Sequence, residues 1–331
     1  MQLPEGRILV TGGAGFIGSA LVHALNQHGR ENILVTDLLG STEKWRNLAP
    51  LSFEGYLEAG QLLELIEKED SALEDIGLIL HLGACSSTME TDAAYLVRNN
   101  YQYTAALASW ALKREVRFVY ASSAATYGDG AQGMDDKSGD LQALRPLNMY
   151  GYSKHLFDLH AQRKSWLDKL TGLKYFNVYG PNEDHKDEMR SLVNKAYHQI
   201  CETGRLQLFR SHRPDFKDGE QERDFLYVKD AVNMTLHLAA NPEAVGLYNL
   251  GSGVANTWIT LANSIFQAMD RTPQIDFIDI PESIREKYQY HTRANISKLR
   301  GTGYVHPVTP LPEAVADYVR NYLATDKKLG D

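Results

Sequence analysis

Apolar residues enter the front half of the chain in short unbroken runs. Ile8-Leu9-Val10 follows Arg7, and similar runs occupy 32–36, 78–82 and 117–121. Runs of this length between polar stretches predict strands buried on both faces. Residues 19–25 and 104–113 read as helices, and 150–160, which lacks proline, reads as the start of another. Alternation of this kind predicts an α/β fold, a Rossmann-type doubly wound parallel sheet. It breaks down after 175–181, where Gly180 and Pro181 mark a turn out of the sheet. Polar residues 211–222, punctuated by Pro214 and Gly219, predict an exposed loop. The expected layout is a sheet domain of residues 1–176 plus about 227–256, with a smaller C-terminal lobe from 177–226 and 257–331. A doubly wound sheet takes its ligand beyond the carboxyl ends of its strands. Residues 83–87 and 122–126, both small and hydroxyl-rich, are therefore where chemistry is expected.

Composition narrows the class. With 331 residues, 43% hydrophobic and 23% charged, the chain can build one large core with a lobe upon it. A formal charge of −8 without a basic block argues against a nucleic-acid surface. No apolar run approaches the roughly 20 residues that cross a bilayer, and no signal-peptide pattern opens the chain. A cytoplasmic protein without a membrane partner is expected. Cys85 and Cys201 are far apart and lack ligands at metal spacing, so they read as free thiols and no metal site is expected.

Gly12-Gly13-Ala14-Gly15-Phe16-Ile17-Gly18 lies between the first strand and first helix, and Asp37 follows the second strand. That context is the dinucleotide-binding fingerprint. Gly12 permits the sharp turn, Gly15 the approach of a pyrophosphate and Gly18 close helix packing, while the helix N-terminus attracts the anion. Tyr150 and Lys154, four apart on the predicted helix, share a face. A tyrosine acts as a base only where a cation stabilises its phenolate, and Lys154 is spaced to supply that charge. The plain alternative is a pair of half-exposed helix residues.

Together with Ser122-Ser123-Ala124, these motifs resemble the extended short-chain dehydrogenase/reductase family across nearly the whole chain. The resemblance implies that Tyr150 is the acid/base, that Lys154 also holds the nicotinamide ribose, and that Ser123 binds the substrate hydroxyl. For Ser123 the alternative is a turn cap. Residues 83–88, 99–103, 121–128, 150–154 and His185-Lys186 further resemble the nucleotide-sugar epimerases of this family that act on ADP-heptose. That likeness implies oxidation at C6, reorientation of the ketone and return of hydride to its other face, for lipopolysaccharide core heptose. One base serves each face: Tyr150 for one, Lys186, with a depressed pKa, for the other. A solvated loop lysine beside Asp184 and Asp187 is the alternative for Lys186.

By the same resemblance, Phe16, Ile17, Asp37, Leu38, Leu82, Gly83, Ala84, Cys85, Ser86, Asn99 and Val178 contact the cofactor. Asn177, Phe209, Arg223 and Tyr288 contact the substrate, Arg223 gripping its diphosphate. Phe16 as mere core and Arg223 as a surface ion pair are the alternatives. Asp37 by rule favours NAD. The resembling enzymes keep such an acid yet prefer NADP, using a lysine for the 2′-phosphate. Lys44 fits that role, although a second such lysine aligns with Ala59. NADP is therefore the expected cofactor, with NAD the alternative, and a homo-oligomer the expected assembly. Glu188 and Lys195 depart from the small hydroxyl residue and histidine of similar enzymes. A 4,6-dehydratase would need an Asp-Glu pair where this chain has Ala124 and Ala125, and a cofactor-sensing binding protein would commonly have lost the tyrosine or lysine.

Overall fold

A computed structural model describes residues 2–137, 140–285 and 288–331. Six strands come first: β1 (Arg7–Thr11), β2 (Ile33–Asp37), β3 (Gly55–Glu58), β4 (Ile76–His81), β5 (Arg117–Ser123) and β6 (Thr171–Tyr175). They are followed by β7 (Asn177–Tyr179), β8 (Leu206–Phe209), β9 (Glu222–Tyr227), β10 (Gly246–Leu250), β11 (Ala255–Thr257) and β12 (Ile275–Ile278). The main sheet has seven strands in the order β10-β6-β5-β4-β1-β2-β3, every neighbouring pair parallel. Chain order reverses at β1, which lies between β2 and β4. The crevice at such a switch point is where doubly wound sheets bind ligands.

Strand alternation divides the core. Ile8, Val10, Ile33, Val35, Leu78 and Leu80 pack on one face of the sheet, and Leu9, Leu34 and Ile79 on the other. The first cluster runs on into Leu261, Phe266 and Val315, so the C-terminal helices share its apolar face. Smaller sheets, β11-β9-β7 and β12-β8, extend beyond the carboxyl ends of the main strands. No helix among the described residues is long and apolar enough to cross a membrane.

Differences from the sequence reading are local. The first helix is Phe16–Gln27, starting directly after Gly15 and not at residue 19. β5 continues through Ser123, so the hydroxyl pair ends the strand itself. β3 was not expected, because Gly-Tyr-Leu-Glu offers no apolar run at the sheet edge. Helix 104–113 is the end of a longer one that begins at Ala93 and passes through a π-helical turn, Val97–Gln102. Such a turn breaks the 3.6-residue period by which helices are found in sequence. The turn out of the sheet after 175 leads into β7, and 211–222 is loop up to the first residue of β9.

Candidate active site

A cleft of about 1240 Å³ opens beyond the carboxyl ends of β1, β2, β4 and β5. The glycine loop forms its floor. Gly12 has φ +66°, and a Cβ there would lie 2.7 Å from the Gly83 nitrogen after β4. A Cβ on Gly18 would meet the Gly12 carbonyl at 2.0 Å. Gly18 therefore lets the helix close onto its own loop, rather than onto the sheet as expected. No side chain caps this helix, so its first N–H groups are free to meet an anion. A cradle that side chains would fill, with an uncapped helix end behind it, fits a dinucleotide pyrophosphate.

Asp37 ends β2 and is almost fully buried. Its carboxylate accepts from the Ala14 N–H at 2.9 Å, the Leu38 N–H at 2.7 Å and the Lys44 ammonium at 2.7 Å. Lys44 is thus held at the mouth of the pocket by the acid itself. Nearby, Thr36 and Tyr103 line the cleft, their buried hydroxyls paired with each other across two elements.

One hydrogen-bond chain sets the next wall. Gly83 N–H donates to Thr11 Oγ1 (3.0 Å), and Thr104 Oγ1 donates to the Asn100 carbonyl (2.6 Å). His81 bridges them, 2.6 Å from Thr11 and 2.8 Å from Thr104. Because the Thr104 hydroxyl proton goes to the Asn100 carbonyl, His81 donates to Thr104 from Nε2, and the Thr11 hydroxyl, which accepts from Gly83, donates to Nδ1. Burial holds its pKa well below the ordinary value, with Lys154 as a second cause. Asn100, inside the π turn, brackets Cys85 through its N–H (2.8 Å) and carbonyl (2.9 Å) and donates to Ser153 (2.9 Å). Leu82, Gly83, Ala84, Cys85, Ser86 and Asn99 all line the cleft beside this chain.

Tyr150 and Lys154 lie on the helix Met149–Arg163, whose N-cap Asn148 accepts from the Gly151 N–H at 2.8 Å. The Tyr150 hydroxyl is hydrogen-bonded to Ser123, whose Oγ also accepts from the Ala125 N–H at 3.1 Å. Ser123 is both turn cap and neighbour of the tyrosine. Lys154, 5% exposed, donates to the Ala121 carbonyl at 2.8 Å. Burial lowers its pKa to about 8, while Asp158 opposes the fall. Burial raises the pKa of Tyr150, and the Ser123 bond draws it back. The expected cation support for a phenolate is thus one helical turn away, directed at a carbonyl.

Lys186 comes from another element, the turn Asp184–Met189, and lines the same cleft. Its ammonium lies 5.3 Å from the Phe16 ring centroid, and burial lowers its pKa. The chain itself supplies this burial, where a closing sugar was expected to. Asp184 is engaged elsewhere, by Lys328 at 2.5 Å and Asn194 at 2.8 Å. The turn is pinned by buried Glu183, which accepts from the Ser191 N–H at 2.7 Å and hydroxyl at 2.6 Å. His185, its pKa lowered to about 4 by burial and then by Lys44, contacts Asn47 at 3.2 Å. Phe16, Ile17, Leu38, Asn177, Val178, Phe209 and Tyr288 line the same cleft.

Arg223 does not line it. The guanidinium is 6% exposed, bonded to the Glu222 and Gln289 carbonyls, and lies between Trp258 (5.7 Å) and Tyr288 (5.1 Å). It is not the surface ion pair weighed as the alternative, because Trp258 and Tyr288 enclose that position of β9. Open basic groups in the cleft come instead from Arg98, Arg190 and Lys195. Sequence reading noticed Lys195 only as a departure from pattern. Arg98, directly before Asn99, could have been found from its neighbour. Glu188 stays off the cleft wall, although its carbonyl accepts from Lys195 at 3.1 Å.

Residues 8–251 match the model of the NAD dependent epimerase/dehydratase family. An ADP-L-glycero-D-manno-heptose-6-epimerase of Nitratidesulfovibrio vulgaris is 48% identical over 316 residues, 96% of this chain and 98% of that one. One of Fusobacterium nucleatum is 42% identical, covering 96% and 98%. The crystal structure of the Helicobacter pylori enzyme of that name superposes with a TM-score of 0.80 at 25% identity, covering 97% of each chain.

Proposed function

The chain belongs to the NAD dependent epimerase/dehydratase family, and on that premise we propose that it inverts C6 of ADP-D-glycero-D-manno-heptose. The observation that supports the reading is that two side chains able to carry a proton line one cleft from different elements. Tyr150, bonded to Ser123, comes from the helix Met149–Arg163, and half-buried Lys186 from the turn over Phe16. An inversion needs a proton handled on each face of the sugar carbon, and a one-sided reductase does not. When bound, the nicotinamide supplies the hydride acceptor and donor. Tyr150 takes the proton of the C6 hydroxyl on one face, Ser123 fixing that hydroxyl's direction. Once the ketone has turned over, the Lys186 ammonium gives its proton to the oxygen on the other face as hydride returns to C6, its lowered pKa easing that release.

Gly12, Gly15 and Gly18 hold the pyrophosphate, and Lys154 the nicotinamide ribose. NADP is the preferred form in this reading. Asp37 is already engaged by the Ala14 and Leu38 amides, and Lys44 stands at its edge as a partner for a 2′-phosphate. The adenosine and nicotinamide halves belong to the sheet domain, residues 1–176 plus about 227–256, and the sugar to the lobe of 177–226 and 257–331. Arg98, Arg190 and Lys195 suit a diphosphate at the mouth of the cleft. Free Cys85 and Cys201 support work in the reducing cytoplasm, and a homo-oligomer is the assembly in this reading.

Elimination is disfavoured, because Ala124 and Ala125 leave the turn after Ser123 without a carboxylate pair. Incubation with ADP-D-glycero-D-manno-heptose, read by NMR of the C6 configuration, tests the activity. Conversion to the L-glycero epimer is expected, and an unchanged sugar refutes it. A 2′-phosphate assay on the cofactor released by denaturation decides NADP against NAD.

A further inference from the structure

Behind the Tyr150 helix lies an ion pair that the proposed chemistry does not use. Asp158 and Lys174 are 0% and 1% exposed, with Nζ and Oδ2 3.1 Å apart. Tyr120 donates to Asp158 at 2.9 Å and Ser122 at 2.7 Å. Lys174 donates to Thr126 at 2.5 Å and sits 4.7 Å from the Tyr127 ring centroid. Thr126 in turn donates to the Ser123 carbonyl at 2.7 Å. Ser122 and Thr126, on either side of the Ser123 turn, are thus tied, through one carboxylate and one ammonium, to the helix carrying Tyr150. Removing two charges from water is expensive, and a buried pair is commonly no more stabilising than two apolar residues of its size. Stability therefore gives no reason for it.

We propose that Asp158 and Lys174 are positioning residues of the active site: they lock the Ser123 turn onto the Tyr150 helix, and Asp158 supplies the negative charge that keeps Lys154 an ammonium. The geometry is one helical turn between Asp158 and Lys154, in a region closed to water. Lys154 faces the Ala121 carbonyl from β5, Cys85 from the loop after β4, neutral His81 from β4, and Tyr150 and Asp158 on its own helix. Asp158 is the carboxylate of that set. Its reach is evident at Lys154 and at His155, where it opposes the effect of burial on both.

This inference rests on the reading of Tyr150 and Lys154 given above, and its test separates the two. Activity that needs the Lys154 ammonium falls on the alkaline side as that group loses its proton. In Asp158→Asn the carboxylate is gone and Lys174 stands uncompensated. The alkaline limb of kcat/KM for ADP-heptose should then move to lower pH by about one unit, the low end for loss of a nearby opposite charge. Asp158→Asn/Lys174→Met keeps the hydroxyl partners, removes both charges, and should place the limb between the single variant and the parent. NMR titration of isotope-labelled Lys154 in the resting protein should follow the same order. If Asp158→Asn fails to fold, the double variant alone decides. A plateau lowered equally at every pH, with the limb and the Lys154 titration unmoved, overturns the inference. Tyr150→Phe, measured alongside, isolates the premise: parental turnover there refutes the acid/base reading itself.

Discussion

The two ends of the cleft are built differently. At the cofactor end, Gly12, Gly15, Gly18 and Asp37 fall within one strand-turn-helix-strand unit, and backbone groups do most of the holding. At the sugar end, Lys186 is set by Glu183, Ser191, Phe16 and Lys328, and Arg223 by Gln289, Trp258 and Tyr288. Local backbone geometry recurs wherever the same dinucleotide is bound, whereas long-range side-chain packing can change partner by partner. The difference teaches that, in the proposed reaction, the redox half would rest on a motif and the stereochemical half on tertiary contacts.

The sharpest way to strain that comparison is to remove one proton-transfer group from each end. Tyr150→Phe should fold and bind cofactor, and lose at least about a hundredfold in epimerisation followed by NMR. Lys186→Met should lose inversion to a similar extent. With a C6 aldehyde analogue, in which either face can receive hydride, it should still carry out oxidation and reduction. Epimerisation by Lys186→Met at the parental rate would erase the stereochemical role of the sugar end.

A smaller effect tests the cofactor end. Lys44→Ala should weaken NADP by about tenfold or more, as expected for one charge-assisted contact, and leave NAD nearly unchanged. Equal losses for both, measured by titration of the apoprotein, would return Asp37 to its usual preference for NAD. The smallest effect concerns the long-range support of the Lys186 turn. The Lys328–Asp184 pair is partly exposed on the Asp184 side, so Lys328→Ala should reduce stability by only about 0.5–1 kcal/mol near neutral pH. Lys328 and Asn194 hold the Asp184 carboxyl below its ordinary range against burial. The parental advantage is therefore present above the unfolded carboxylate pKa and fades as pH falls through the depressed one. Denaturant melts of both proteins across the acid range check this, and a constant gap would deny Asp184 its part.

Much of the site could be read from the chain, and the misses share a cause. Tyr150, Lys154 and the glycine loop follow from spacing within single elements, whereas the role of Ser123 is implied by resemblance. Lys186 came only from likeness to a motif, because nothing in Asp-His-Lys-Asp states that the lysine is half-buried over Phe16. The enclosure of Arg223 could not be read, because strand alternation gives a face but not what covers it. Thr36 and Tyr103 lie on different elements, and only the closed fold brings their buried hydroxyls together in the cleft.

By itself the sequence determined the doubly wound sheet, the dinucleotide crevice and the tyrosine-lysine helix, since strand period, helix period and glycine turns act over a few residues. The tertiary structure decided which cations are open and which enclosed, where Lys186 loses its water, and that Asp158 and Lys174 meet behind the catalytic helix. Those outcomes depend on desolvation and on charges brought together across distant parts of the chain, and neither exists until the elements have packed.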